Sequence, residues 1–240
     1  MAVELASTRF LREHYKYLIM KALRIFFVWV LIVSISIIVP KLITPVTGQT
    51  PAEQLTKLLH EGNFLYTQKK YDQALTSFKK VLALDSNNTF AMDRIGLILH
   101  NLGREKDSLQ YLDKSLSIDP NNTSTLNNMG LALGILGNHT SAIDFFDKAL
   151  SIDPNSVDAH VNKGTALGIL GKYRAALTSI DKALAIDPNS TAALTVKALT
   201  LYSAGNTTEA KGSLDKVLEI EPENFFAFSL RMRIDNTTKG

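Results

Sequence analysis

The chain repeats itself every 34 residues. The stretch SIDPNNTSTLNNMGLALGILGNHTSAIDFFDKALSIDPNS, from Ser117 to Ser156, returns as SIDPNSVDAHVNKGTALGILGKYRAALTSIDKALAIDPNS, from Ser151 to Ser190. A period of this length marks an array of small supersecondary units. Each such unit is too small to hide its apolar side and does so by stacking on its neighbours. In one register five units run 55–88, 89–122, 123–156, 157–190 and 191–224, and a fragment from Phe225 to about Asp235 opens a sixth.

The units share a physical grammar. The eighth place holds Gly62, Gly96, Gly130, Gly164 or Ala198, and the twentieth holds Ala74, Ser108, Ala142, Ala176 or Ala210. Two antiparallel helices approach closely only where neither carries bulk, so these places form the expected crossing. Gly103, Gly137, Gly171 and Gly205 punctuate four units near the middle. A glycine there supplies the left-handed residue that ends a first helix. A large apolar residue follows in the second helix: Phe78, Leu112, Phe146, Ile180 or Leu214. Pro120, Pro154, Pro188 and Pro222 stop that helix. Ser, Thr or Asn beside them can cap the next one.

Over about residues 55–235 these residues resemble the tetratricopeptide-repeat family. The resemblance implies an all-α fold: a right-handed α-solenoid of about five helix-turn-helix units, closed by a C-terminal capping helix and tail over 225–240. In the cap, Phe225 and Phe228 are expected to pack inward, with Arg231, Arg233 and Asp235 on a solvated face. The sequence departs from the family pattern in places. The first unit has Lys69 for the linking glycine and Ser86 for the proline. The usual aromatic of the fourth place is Leu58, Met92, Leu126, His160 or Leu194, and the usually aliphatic seventh place is Glu61, Lys163 and Lys197 in three units.

The resemblance also implies that first helices line a concave groove for a protein or peptide ligand, through their second, fifth, ninth and twelfth places. The expected partner-binding residues there are Asn63, Tyr66, Asp93, Leu97, His100, Asn127, Leu131, Val161, Thr165 and Tyr202. Asn128 and Asn162 add two rungs of the asparagine ladder that some family members carry at the neighbouring place. Amides bond a peptide backbone and apolar pockets take its side chains. The lysine–arginine–asparagine clamp of chaperone-tail binders is not matched, because Leu59 stands where a lysine is expected.

Ahead of the repeats, Ile25 to Val39 is 15 residues without a charge, bracketed by Arg24 and Lys41. It is apolar on every face and stands apart from the repeats, unlike a core helix. A transmembrane anchor over 25–43 is the favoured reading, because the flanking side chains can snorkel to lengthen a short span. A cleaved signal peptide is the alternative, with Val46-Thr47-Gly48 as a tolerable cleavage site. Residues 1–24 form a basic leader and 44–54 a linker. Residues 1–51 hold six basic and two acidic side chains, mostly ahead of the apolar run. Basic flanks stay cytoplasmic, which predicts an outer-face repeat domain, or a secreted one after cleavage.

The remaining chain holds 20 basic and 21 acidic residues, too balanced to bind nucleic acid by charge. There is no cysteine, the five histidines lack metal-ligand spacing, and no phosphate-binding glycine motif is present. The expectation is therefore no enzyme, no cofactor, no metal and no small-molecule substrate. Asp119, Asp153 and Asp187 read as turn residues rather than catalytic acids. Glycosylation sequons recur at Asn87, Asn121, Asn122, Asn138, Asn189, Asn206 and Asn236. They have two readings, glycan acceptors on an outer-face domain or a repeat that favours Asn before a helix cap. The function expected is a membrane-anchored interaction scaffold. The alternatives are a self-associating envelope protein and a non-catalytic, substrate-presenting subunit of an enzyme complex.

Overall fold

The computed structural model describes residues 50–237. The leader, the apolar run at 25–43 and the linker up to residue 49 lie outside the described residues, as does the tail beyond 237. Among the described residues no helix is long and apolar enough to cross a membrane.

Among the described residues are eleven helices and no strand. They are α1 (Pro51–Thr67), α2 (Tyr71–Leu84), α3 (Thr89–Asn101), α4 (Glu105–Ile118), α5 (Thr123–Ile135), α6 (His139–Ile152), α7 (Val157–Ile169), α8 (Tyr173–Ile186), α9 (Thr191–Ser203), α10 (Thr207–Ile220) and α11 (Phe225–Thr237). Consecutive helices pair as hairpins, each hairpin packs on the next, and the first helices α3, α5, α7 and α9 also touch in series. The result is an all-helical solenoid. Helix α1 begins at Pro51, so residues 51–54 are its first turn rather than linker, consistent with the preference for proline at a helix start.

Each unit begins and ends for a local reason. Asn88, Asn122, Ser156 and Ser190 cap α3, α5, α7 and α9, accepting from the backbone N–H of Ala91, Thr125, Ala159 and Ala193. Asn224 does the same for α11 through Ala227. Asp85, Asp119, Asp153 and Asp187 accept from the N–H two residues on, at Asn87, Asn121, Asn155 and Asn189. These aspartates are therefore turn formers. The same turn ends α2 at Asp85, where the proline of other units is missing.

Gly103, Gly137, Gly171 and Gly205 take φ between 69° and 86°, and Lys69 stands at φ 57° in the equivalent turn. At the crossing, the space left by glycine is filled by the large residue of the second helix. A Cβ on Gly130 would lie 2.5 Å from Phe146, and one on Gly96 would lie 2.5 Å from Leu112. The small twentieth place closes the same contact from the other side: Ser108 Oγ donates to the Gly96 carbonyl over 2.7 Å.

The seventh-place cations are accommodated by ion pairs rather than apolar packing. Lys163 reaches Asp147 and Lys197 reaches Asp181, each on the second helix of the preceding unit.

At the C-terminal end the expected packing is reversed in part. Phe225 and Phe228 are 81% and 52% exposed, while Ala227, Leu230 and Ile234 enter the core. Phe228 stands at the fourth place of a sixth unit, where the other units bury their residue under a second helix. The described residues supply no such helix after α11. Arg231 and Asp235 do not form a solvated face either. Arg231 pairs with Asp215, and Asp235 accepts from Lys211, tying α11 to α10.

Candidate partner-binding face

The first helices expose three adjoining clefts. The first, about 490 Å³, lies over α3, α5 and α7 and is lined by Leu97, Thr123, Ser124, Asn127, Asn128, Leu131, Ser156, Asp158 and Asn162. The second, about 90 Å³, shares Leu131 and Asn162 and adds Gly130, Gly134, Ile135, His139, Phe146, Thr165, Ala166 and Ile169. The third, about 250 Å³, shares Thr165 and Ile169 and adds Gly168, Val196, Leu199, Thr200 and Ser203. No lysine or arginine lines any of them, and Asp158 is their one carboxylate.

A side-chain rung joins the fifth place of one unit to the sixth place of the next. Asn128 Nδ2 donates to Asp93 Oδ1 over 2.8 Å, and Asn162 Nδ2 donates to Asn127 Oδ1 over 3.2 Å. One step on, Val161 and Val196 pack together and the rung becomes apolar. Ser124 Oγ gives Asp93 a second bond over 2.9 Å, so this buried carboxylate is held by the next unit. The rungs leave Nδ2 of Asn127 and Oδ1 of Asn128 and Asn162 without a partner among the described residues.

Of the residues expected to meet a partner, Leu97, Asn127, Asn128, Leu131, Asn162 and Thr165 line these clefts. The others lie outside them. Asn63 is half-buried on α1. Tyr66 accepts from Asn101 Nδ2 over 3.3 Å and stands against Tyr71, with ring centroids 5.7 Å apart. His100 Nδ1 lies 3.0 Å from the buried carboxylate of Glu105. Asp93 and Val161 are buried between units, and Tyr202 packs on the C-terminal core.

Sequence reasoning missed the second cleft. Its opening comes from Gly134 and Gly168 at the twelfth place, where other units carry Tyr66, His100 or Tyr202. Beside them Ile135 and Ile169 are 61% and 62% exposed. The signal was present in the twice-repeated LGILG, in which the first glycine of the closing G-I-L-G sits at the twelfth place.

The sequons fall at the turns and at the end of α11. Asn87, Asn121 and Asn189 are exposed just before a cap. Asn122, Asn138 and Asn206 use their side-chain oxygens as caps themselves. Asn236 is exposed in the last turn of α11.

Stacked helical hairpins with an open, side-chain-lined face define the class of helical-repeat interaction proteins. Within it, the chain belongs to the tetratricopeptide-repeat family, whose models match residues 58–88, 91–122, 124–156, 145–178 and 169–230. No curated protein sequence matches the chain significantly. Among solved structures it is similar to a thermophilic TPR protein of Thermus thermophilus, at 21% identity and TM-score 0.68, covering 75% of this chain and 98% of that one. It is similar to PilW, described as a widely conserved type IV pilus biogenesis factor, at 25% identity and TM-score 0.66, covering 69% and 77%. A third likeness is to YrrB, described as a TPR protein with an unusual peptide-binding site, at 22% identity and TM-score 0.56, covering 73% and 90%.

Proposed function

We propose that this chain is a membrane-anchored, non-catalytic scaffold that holds an uncharged stretch of a partner protein along α3, α5, α7 and α9. The observation that carries the reading is the run of three adjoining clefts, amide-lined at one end and apolar at the other. The unpartnered amide atoms of Asn127, Asn128 and Asn162 suit a peptide backbone, and Ile135 and Ile169 suit apolar side chains. Lining that lacks lysine and arginine gives a charged ligand nothing to pair with. The peptide-binding site described for YrrB is in keeping with this reading.

The anchor is the apolar run Ile25 to Val39, with the basic leader cytoplasmic and the repeats, with their sequons, on the outer face. Intact mass of the natively produced protein reads cleavage and glycans together. Release of the uncleaved chain from membranes by alkaline carbonate would overturn the anchor.

The groove is tested by selecting peptides from a displayed library on the wild-type protein and rebinding them to Ile169→Glu. This substitution sits at an exposed place and leaves the core intact. A loss of affinity of at least about tenfold is expected, the size of one buried apolar contact. Equal binding by both proteins removes the groove assignment.

A second reading, self-association, rests on α11, whose Phe225, Phe228 and Met232 are exposed. Light scattering separates the two, since a monomer at high concentration excludes assembly through that face.

A further inference from the structure

A fourth cleft, about 460 Å³, shares no residue with the partner-binding face. It lies among α6, α7 and α8 and carries three polar groups that the fold leaves unused. His160 is 6% exposed. Its Nε2 lies 3.0 Å from the Pro154 carbonyl. A carbonyl only accepts, so Nε2 carries the proton. Nδ1 is then buried with no hydrogen-bond partner. Ser179 is also 6% exposed and makes no side-chain hydrogen bond among the described residues. Lys182 is exposed on the rim without an ion-pair partner there. Asn155 completes the polar lining.

Buried polar groups are nearly always satisfied, so each exception calls for a cause. Packing is not the cause at His160. The fourth place it occupies holds leucine in three other units and methionine in one, and all four are buried there. An apolar residue therefore fits, and the histidine brings a polar atom that the repeat does not need. Charge points to the ligand. Lys163 is neutralised by Asp147, which leaves the Lys182 ammonium as the uncompensated charge of the lining.

We infer that this cleft binds an oxyanion, a carboxylate or a phosphate group. The anion accepts from the Lys182 ammonium and the Ser179 hydroxyl, and shares a proton with His160 Nδ1. The ring donates when it is protonated on both nitrogens. When the ring is neutral, Nδ1 accepts from a ligand that keeps a hydroxyl proton.

The test is titration of the full chain with sodium acetate and, separately, sodium phosphate, against sodium chloride at matched ionic strength. Backbone amide shifts of Asn155 and Ser179 are the readout. Saturation is expected with at least one of the two oxyanions and not with chloride. Acetate alone assigns a carboxylate, and phosphate alone assigns a phosphate group. His160→Leu, the residue used at this place elsewhere in the array, is expected to weaken binding by about tenfold, the scale of one charge-assisted hydrogen bond. Lys182→Ala, at an exposed position, keeps the test decisive if the first variant folds poorly, and a loss of about threefold is expected. Absence of saturation with both oxyanions, or unchanged affinity in both variants, overturns the site.

Discussion

Asn128 and Asp93, 35 residues apart, meet over 2.8 Å between α5 and α3. The bond turns a place expected to face a ligand into part of the joint between units two and three. Asp93 is buried and accepts from Asn128 and Ser124. Asn128→Ala removes one of two bonds to a buried carboxylate. The expected cost is about 1–3 kcal/mol in urea unfolding, the range for hydrogen bonds to charged groups. An unchanged midpoint would show that the rung contributes nothing to stacking.

Gly130 is tied to Phe146 by the opposite device, the absence of atoms. A Cβ there would lie 2.5 Å from the ring, and the ring is itself fully enclosed. Gly130→Leu is expected to cost about 1–3 kcal/mol through overpacking. Thermal unfolding at the wild-type temperature would refute the crossing as the site of close approach.

Lys69 holds φ 57° in the turn where four other units place glycine. A side chain costs about 1–2 kcal/mol in the left-handed region. Lys69→Gly should therefore raise stability by about 1 kcal/mol, partly offset by the freer unfolded chain. A lower denaturation midpoint in the variant would contradict this.

Glu221 accepts from Asn224 Nδ2 over 2.7 Å and from Thr191 Oγ1 over 2.8 Å, joining the turn before α11 to the start of α9. These bonds, Asn224 first, hold its carboxyl below the ordinary value of 4.5. The folded value is the lower one, so the contribution is complete above the unfolded value and vanishes as pH falls through the folded one. Thr191→Val should move the Glu221 carboxyl titration upward, as followed by carbon NMR. A titration that does not move would remove the Thr191 bond as a cause.

Much of the fold was legible because its determinants are local and recur. The Asn and Ser caps, the Asp turns and the central glycines each act within a few residues, so a period of 34 exposes them repeatedly along the chain. The partner-binding face was legible only in part. Leu131 and Asn127 line it, yet Asp93 at the equivalent fifth place is buried by its neighbour. The difference depends on which residue the next unit presents, and repeat position does not encode that.

The sequence by itself determined the hairpin, its caps and its order in the array, because backbone propensity and helix spacing are properties of short segments. The tertiary structure decided which polar groups are consumed between units, why Gly134 and Gly168 open a cleft, and that Phe225 and Phe228 stay exposed. Those outcomes are set by what the adjoining hairpin fills or leaves empty. Burial belongs to a pair of surfaces, and a single stretch of sequence states only one of them.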